Sequence, residues 1–158
     1  MAATLARRNL LLLLALAGVG IGGYLSWVAL DEETEAFCSG VGDCHTVQSS
    51  EYADIAGIPV ALLGLGMYLA LTALVIGRRF GPRALRGLPQ LPIWIFALAA
   101  AGTLYSAYLT YLELFVIDAI CIWCVTSAGV VTAIALLAAP DFLAARRQIA
   151  GRSSSTTV

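Results

Sequence analysis

Charge is scarce in this chain, and lysine is absent. Only 12% of the 158 residues are charged, all nine basic residues are arginine, and there is a single histidine. A soluble domain of this length needs far more charge over its surface. With 60% hydrophobic residues and a mean hydropathy of +0.88, the shortage excludes an ordinary water-soluble fold. Long polar stretches are also missing, so there is no room for a second soluble domain, and no internal repeat is visible. The net charge of −1 gives no basis for a nucleic-acid partner.

What is present is four apolar runs, roughly 10–30, 58–77, 92–112 and 119–139. About 20 apolar residues span a bilayer as a helix, because backbone polar groups must be satisfied internally there. The expected class is all-α: an integral membrane four-helix bundle with an outer-face loop and a short surface helix. Residues 1–9 form a cytoplasmic tail and 10–139 the bundle, with an outer loop at 31–57 and a cytoplasmic loop at 78–90. Residues 140–158 form a second cytoplasmic tail, basic and then Ser/Thr-rich, expected to lose order beyond Gly151.

The arginines are Arg7, Arg8, Arg78, Arg79, Arg83, Arg86, Arg146, Arg147 and Arg152. In a four-span chain their three segments share one side, which the positive-inside rule makes cytoplasmic. Nine acidic residues fall in the opposite loops, and only Asp141 breaks the pattern. Both termini are therefore expected inside, with the polar loop 31–57 at the outer face of the cell's inner membrane. Arg7-Arg8, the leucine run and Ala15-Leu16-Ala17 also fit a secretory leader. The apolar run continues well past those small residues, and cleavage would leave the outer loop outside in either case.

The outer loop reads Phe37-Cys38-Ser39-Gly40-Val41-Gly42-Asp43-Cys44-His45, and its glycines permit the chain to fold back so that two thiols meet. Ser50 with Glu51 reads as a helix start and Gly57 as its stop, predicting a short surface helix between them. Ile58-Pro59 then begins the second span. Between spans three and four, Glu113–Asp118 is so short that the two must be antiparallel neighbours.

The chemistry rests on four cysteines. Cys121-Ile122-Trp123-Cys124 opens the last span, and a Cys-x-x-Cys at a helix start is a redox-active arrangement, because the helix terminus favours a thiolate on its first sulfur. The apolar Ile122 and Trp123 suit a dithiol at the lipid boundary, where a lipid-soluble quinone is the natural electron acceptor. Cys38 and Cys44, in a polar loop, suit exchange with a soluble dithiol and then with the deeper pair through mixed disulfides. Two structural disulfides are one alternative reading. A membrane binder or carrier of thiophilic metal is another, although the spacing is not that of a zinc ribbon. Tyr108 and Tyr111 fit either an interfacial aromatic belt or a quinone pocket closed by Trp123. Ser50, Thr126 and Ser127 fit hydrogen bonding to a quinone oxygen or to backbone carbonyls. His45 beside Cys44 reads as a solvated side chain or as a promoter of thiolate character.

In order and spacing these elements resemble the vitamin K epoxide reductase family in its bacterial form. The resemblance runs over about 10–139 through Cys38-x5-Cys44, Val47-Gln48-Ser49-Ser50-Glu51-Tyr52-Ala53, Gly57-Ile58-Pro59-Val60-Ala61-Leu62-Leu63-Gly64 and Cys121-Ile122-Trp123-Cys124. It implies a four-helix bundle around a quinone (ubiquinone or menaquinone), with Cys124 facing the quinone and Cys121 exchanging with the loop pair. The loop pair would take electrons from a thioredoxin-fold partner. Ser50 matches the family's serine after the loop cysteines. The chain carries no fused thioredoxin-like domain, so that partner is expected to be a separate protein. The animal enzymes' Thr-Tyr-Ala is replaced by Ser127-Ala128-Gly129, so the implied activity is quinone reduction, not epoxide reduction. A second quinone-linked family of disulfide-forming membrane proteins carries its Cys-x-x-Cys in the first outer pair, unlike this chain.

Overall fold

A computed structural model describes residues 2–31, 38, 43–83 and 88–154. Its elements are α1 (Ala2–Leu30), α2 (Cys44–Gln48), β1 (Asp54–Ile55), β2 (Ile58–Pro59), α3 (Val60–Phe80), α4 (Gln90–Leu112) and α5 (Ile122–Ser154). The last turn of α4 widens into a π-helical turn over Glu113–Ile117. The four long helices are each long and apolar enough to cross a membrane. The protein is thus a multi-pass membrane protein built as an all-α four-helix bundle.

Lipid tails are as apolar as leucine, so helices in a bilayer associate through close packing and interhelical hydrogen bonds. Glycine allows the closest approach. A Cβ on Gly18 would run into the Tyr68 ring, and one on Gly22 would sit 3.1 Å from the Leu65 backbone. These positions lay α1 directly against α3. Around them a core of Leu11, Ala15, Tyr68, Leu71, Ile95 and Ile134 fills one half of the bundle. Contact is extensive between α1 and α3 and between α4 and α5, and much sparser between α3 and α4. The bundle is therefore parted along one seam.

Asp141, the acid on the arginine side, bridges Arg7 of α1 and Arg78 of α3. Two guanidiniums hold this half-buried carboxylate, which explains its place among the basic residues. Arg79 bonds Asn9 at the same end. The arginine cluster and the cysteines thus occupy opposite ends of the bundle.

One expectation needs correction. The short helix is not at Ser50–Gly57 but at Cys44–Gln48. Asp43 caps it, accepting from the Thr46 N–H at 3.0 Å and the Thr46 hydroxyl at 2.6 Å. The stretch after Ser50 instead turns and forms a tight hairpin, with Ile55 opposite Ile58. Ala56 and Gly57 between them both have positive φ, as a two-residue type I′ turn demands. Of the tail expected to lose order beyond Gly151, residues 152–154 belong to α5, and 155–158 lie outside the described residues. Pro140 costs α5 the bond to the Leu136 carbonyl, yet the helix runs on to Ser154. At 1.5 Å per residue, α5 is about 50 Å long, against a hydrocarbon core of about 30 Å. The expected loop-folding glycines, Gly40 and Gly42, lie outside the described residues.

Candidate active site

The cysteine end of the bundle is organised by the terminus of α5. Cys121 is its N-cap: the Cys124 N–H donates to Cys121 Sγ at 3.3 Å, and the Val125 N–H to the Cys121 carbonyl at 3.0 Å. A helix leaves its first N–H groups unpaired, and here a sulfur takes one of them. The thiols of Cys121 and Cys124 are free and their Sγ atoms lie 2.7 Å apart. The hydrogen bond from the Cys124 thiol holds the Cys121 thiol below its usual range, and this outweighs the opposing effect of burial. Cys121 is the sulfur poised as thiolate.

The loop pair sits directly on this terminus. Cys38 and Cys44 are joined in a disulfide with Cα atoms 6.1 Å apart. The Asp43 N–H donates to the Ile120 carbonyl at 3.0 Å, pinning the start of α2 beside the Cys-x-x-Cys. Cys44 (1% exposed) and Cys121 (0%) form one buried cluster with Val47, and Cys38, Cys124 and Trp123 pack against it. All four cysteines therefore meet in one place.

On the other side of the cluster lies a cavity of about 660 Å³, in the seam between α3 and α4. It extends from Gln48, Ser50 and Tyr52, between α2 and the hairpin, to Met67 and Tyr68 in the core. Its wall is mainly apolar, and Cys124 is the one cysteine in it. Ser50 and Ser127, both expected as quinone contacts, line it. The Ser50 hydroxyl donates to the Val47 carbonyl at 2.7 Å, and the Ser127 side chain meets the Tyr68 hydroxyl at 3.0 Å. Thr126 is exposed and bonds the Ile122 carbonyl instead.

The aromatic residues are distributed differently from expectation. Tyr108 (52% exposed) and Tyr111 (56%) lie on the outward face of α4, and neither lines the cavity. Three residues per step advances about 300° around a helix, so the rings drift off any one face. Tyr105, with Ser106 and Thr110, forms the cavity wall instead. Trp123 is also not in that wall; its ring packs on Tyr24 with centroids 4.9 Å apart. His45 is exposed. Among the described residues no three His, Cys, Asp or Glu side chains gather as a metal-ligand set.

Two cavity residues escaped the sequence reading. Tyr68 is 1% exposed and donates to the Ser127 carbonyl at 2.8 Å, tying α3 to α5. A lone tyrosine in an otherwise apolar span was its only signal. Glu113, which reads in sequence as an outer-loop charge, is 3% exposed. It continues the α-helical register of α4 as the first residue of the π turn and lies inward, where its carboxylate accepts the Cys121 N–H at 3.1 Å. The turn closes on Asp118, at φ 53° and ψ 31° in the left-handed region.

Residues 9–139 match the family described as vitamin K epoxide reductase family. The match covers most of the chain, so the chain belongs to that family, whose members are membrane disulfide oxidoreductases and generally quinone-linked.

Proposed function

We propose that this member of the vitamin K epoxide reductase family oxidises a thioredoxin-fold partner at the outer face of the cell membrane and passes two electrons to a quinone. One observation carries the reading: Cys121 is buried against the loop cysteine Cys44, while Cys124, on the same helical turn, lines the apolar cavity. The order loop pair, Cys121, Cys124, cavity is a path for electrons.

A quinone fits the cavity by size and chemistry, since about 660 Å³ of mainly apolar space is within the range of small-ligand sites. Its few polar groups, Ser50, Tyr68, Ser106 and Ser127 among them, would fix an oxygenated ring. Bound there, a quinone supplies a two-electron, two-proton acceptor. The parted seam between α3 and α4 supports entry from the bilayer. Ubiquinone and menaquinone both satisfy these features.

The residues act in sequence. A partner thiolate attacks the Cys38–Cys44 disulfide, and a second partner thiol resolves the mixed disulfide, leaving both loop cysteines reduced. A loop thiolate then attacks Cys121 of an oxidised Cys121–Cys124 pair, and Cys124 leaves as the thiolate. Attack by the other loop cysteine restores the loop disulfide and leaves Cys121 and Cys124 reduced beside the cavity. The close packing of Cys44 on Cys121 favours Cys44 as the exchanging loop sulfur. The arginine cluster at the opposite end supports cytoplasmic termini.

Anaerobic quinone reduction by the purified, pre-reduced protein tests the reading, with Cys124→Ser alongside. Stoichiometric quinol from the native chain and none from the variant is expected. Equal quinol from both would overturn the assignment of Cys124, and none from either would overturn quinone linkage.

A further inference from the structure

We infer that Glu113 is the acid–base group of the inner cysteine pair, taking the proton that leaves Cys124 as the Cys121–Cys124 disulfide forms. This rests on the function proposed above and deepens it. Glu113 is the one acidic side chain fully buried among the described residues. It lies in the wall of the same cavity as Cys124 and accepts the Cys121 backbone N–H at 3.1 Å. The arginines of the described structure belong to the other end of the bundle, and both ion pairs there are those of Asp141. Glu113 is thus bonded by a backbone N–H and shares the cavity wall with a thiol. The first orients the carboxyl and the second exchanges a proton with it.

The site has been shaped for this side chain. Glu113 keeps the α-helical register of α4, its N–H bonding the Leu109 carbonyl, and the π turn that begins at it leads the chain on toward Cys121. The turn ends in a left-handed non-glycine residue, Asp118, a conformation that costs about 1–2 kcal/mol. π turns and strained backbone concentrate at functional positions.

Oxidation forms one sulfur–sulfur bond, breaks two S–H bonds, and releases two electrons and two protons. The Cys121 proton goes to the outer aqueous face when its thiolate forms. The Cys124 proton goes to the Glu113 carboxylate as the two sulfurs join. Both electrons pass to the quinone-class acceptor in the cavity, which takes the Glu113 proton and one proton from the aqueous face to become the quinol. Glu113 ends as the carboxylate it began as.

The other titratable groups around Glu113 include Cys121 and Cys124 at the head of α5, Tyr68 of α3, Tyr105 of its own helix, Asp118 at the end of the π turn, and Tyr52 and Asp54 at the cavity rim. On α2, Cys44 is disulfide-bonded and His45 is exposed. Glu113→Gln keeps an oxygen to accept the Cys121 N–H but cannot take up a proton, and so separates proton transfer from positioning.

Two measurements on the full-length protein in lipid nanodiscs decide the matter. The first is the infrared difference spectrum between the dithiol and disulfide states, set by chemical reductant and oxidant without quinone, using isotope-labelled glutamate. A carboxyl band that changes with the redox state of the cysteines and shifts with the label is expected in the native chain, and its loss in Glu113→Gln. The second is quinol formation with a short-chain quinone across pH. For Glu113→Gln a drop of about 10²-fold in kcat is expected, with KM for the quinone unchanged, one limb of the pH profile lost, and partial recovery in Glu113→Asp. No redox-linked glutamate band, or a native kcat and pH profile in Glu113→Gln, overturns the inference. If Glu113→Gln does not fold, the labelled spectrum of the native chain decides alone. If the native chain makes no quinol, the proposed function fails, while the infrared result still judges Glu113.

Discussion

The two ends of this bundle are made by the same four helices and are built on opposite plans. At the arginine end, Leu71, Ile95 and Ile134 are at most 1% exposed, and Asp141 ties α1 and α3 to α5. At the cysteine end α3 and α4 part around an open apolar space. In water such a space would be costly. In a bilayer the parted helix faces meet lipid tails as apolar as themselves, so only packing is lost. The closed end holds the helices in register, and the open end is free to carry chemistry.

Substitutions at the two ends should therefore fail in different ways. Cys121→Ser has the largest expected effect. Turnover should fall to the uncatalysed background while thermal stability is retained, because serine is itself a good N-cap. Quinol formation and thermal unfolding on one preparation check both halves; residual turnover would break the comparison from the open side. Next is Leu71→Ala at the closed end, where leucine is 0% exposed. A loss of about 2–5 kcal/mol in stability is expected, with turnover per folded molecule unchanged. Asp141→Asn is smaller. It removes two ion pairs whose side chains are 12–24% exposed, and exposed or half-exposed pairs contribute about 1 kcal/mol or less each. Stability should fall modestly with no change in quinol formation. A change in turnover from either substitution would show that the two ends are coupled.

The same division separates what the sequence made legible from what it did not. The four spans and the pairing of cysteines follow from length, hydropathy and spacing, which survive any detail of packing. Rotation about a helix axis does not. α4 is apolar nearly all round, so no polar stripe distinguished the face of Tyr105 from those of Tyr108 and Tyr111. The inward position of Glu113 follows the α-helical register of α4, but a charge at the very end of an apolar run reads in sequence as a loop residue. The surface helix was displaced because two caps competed: Ser50-Glu51 is the stronger sequence signal, but Asp43 with Thr46 forms the actual cap. The type I′ hairpin that replaced it puts Ala56 at positive φ, where glycine or asparagine would have announced the turn.

That Asp43 cap provides the finest test of the open end. The carboxyl caps the short helix that carries Cys44, and the Asp43 N–H anchors it to the Ile120 carbonyl. Asp43→Ala should slow disulfide exchange between the loop pair and Cys121 by a few-fold, measured by acid-quenched trapping of the thiols, while leaving the spans intact. The Thr46 hydroxyl, then the Thr46 N–H, hold the Asp43 carboxyl below its usual 3.8. A depressed carboxylate stabilises the folded cap at pH above 3.8, and this contribution is lost as pH falls through the lowered value. Native exchange should therefore show no Asp43-dependent change near neutral pH and should weaken only in strong acid. Asp43→Asn keeps an oxygen for the Thr46 N–H and does not titrate, so it should retain most of the exchange rate and lose the acid-dependent step. If Asp43→Ala exchanges at the native rate, docking of the loop on the Cys-x-x-Cys depends on the buried contact of Cys44 and Val47 alone, and the polar cap is incidental to it.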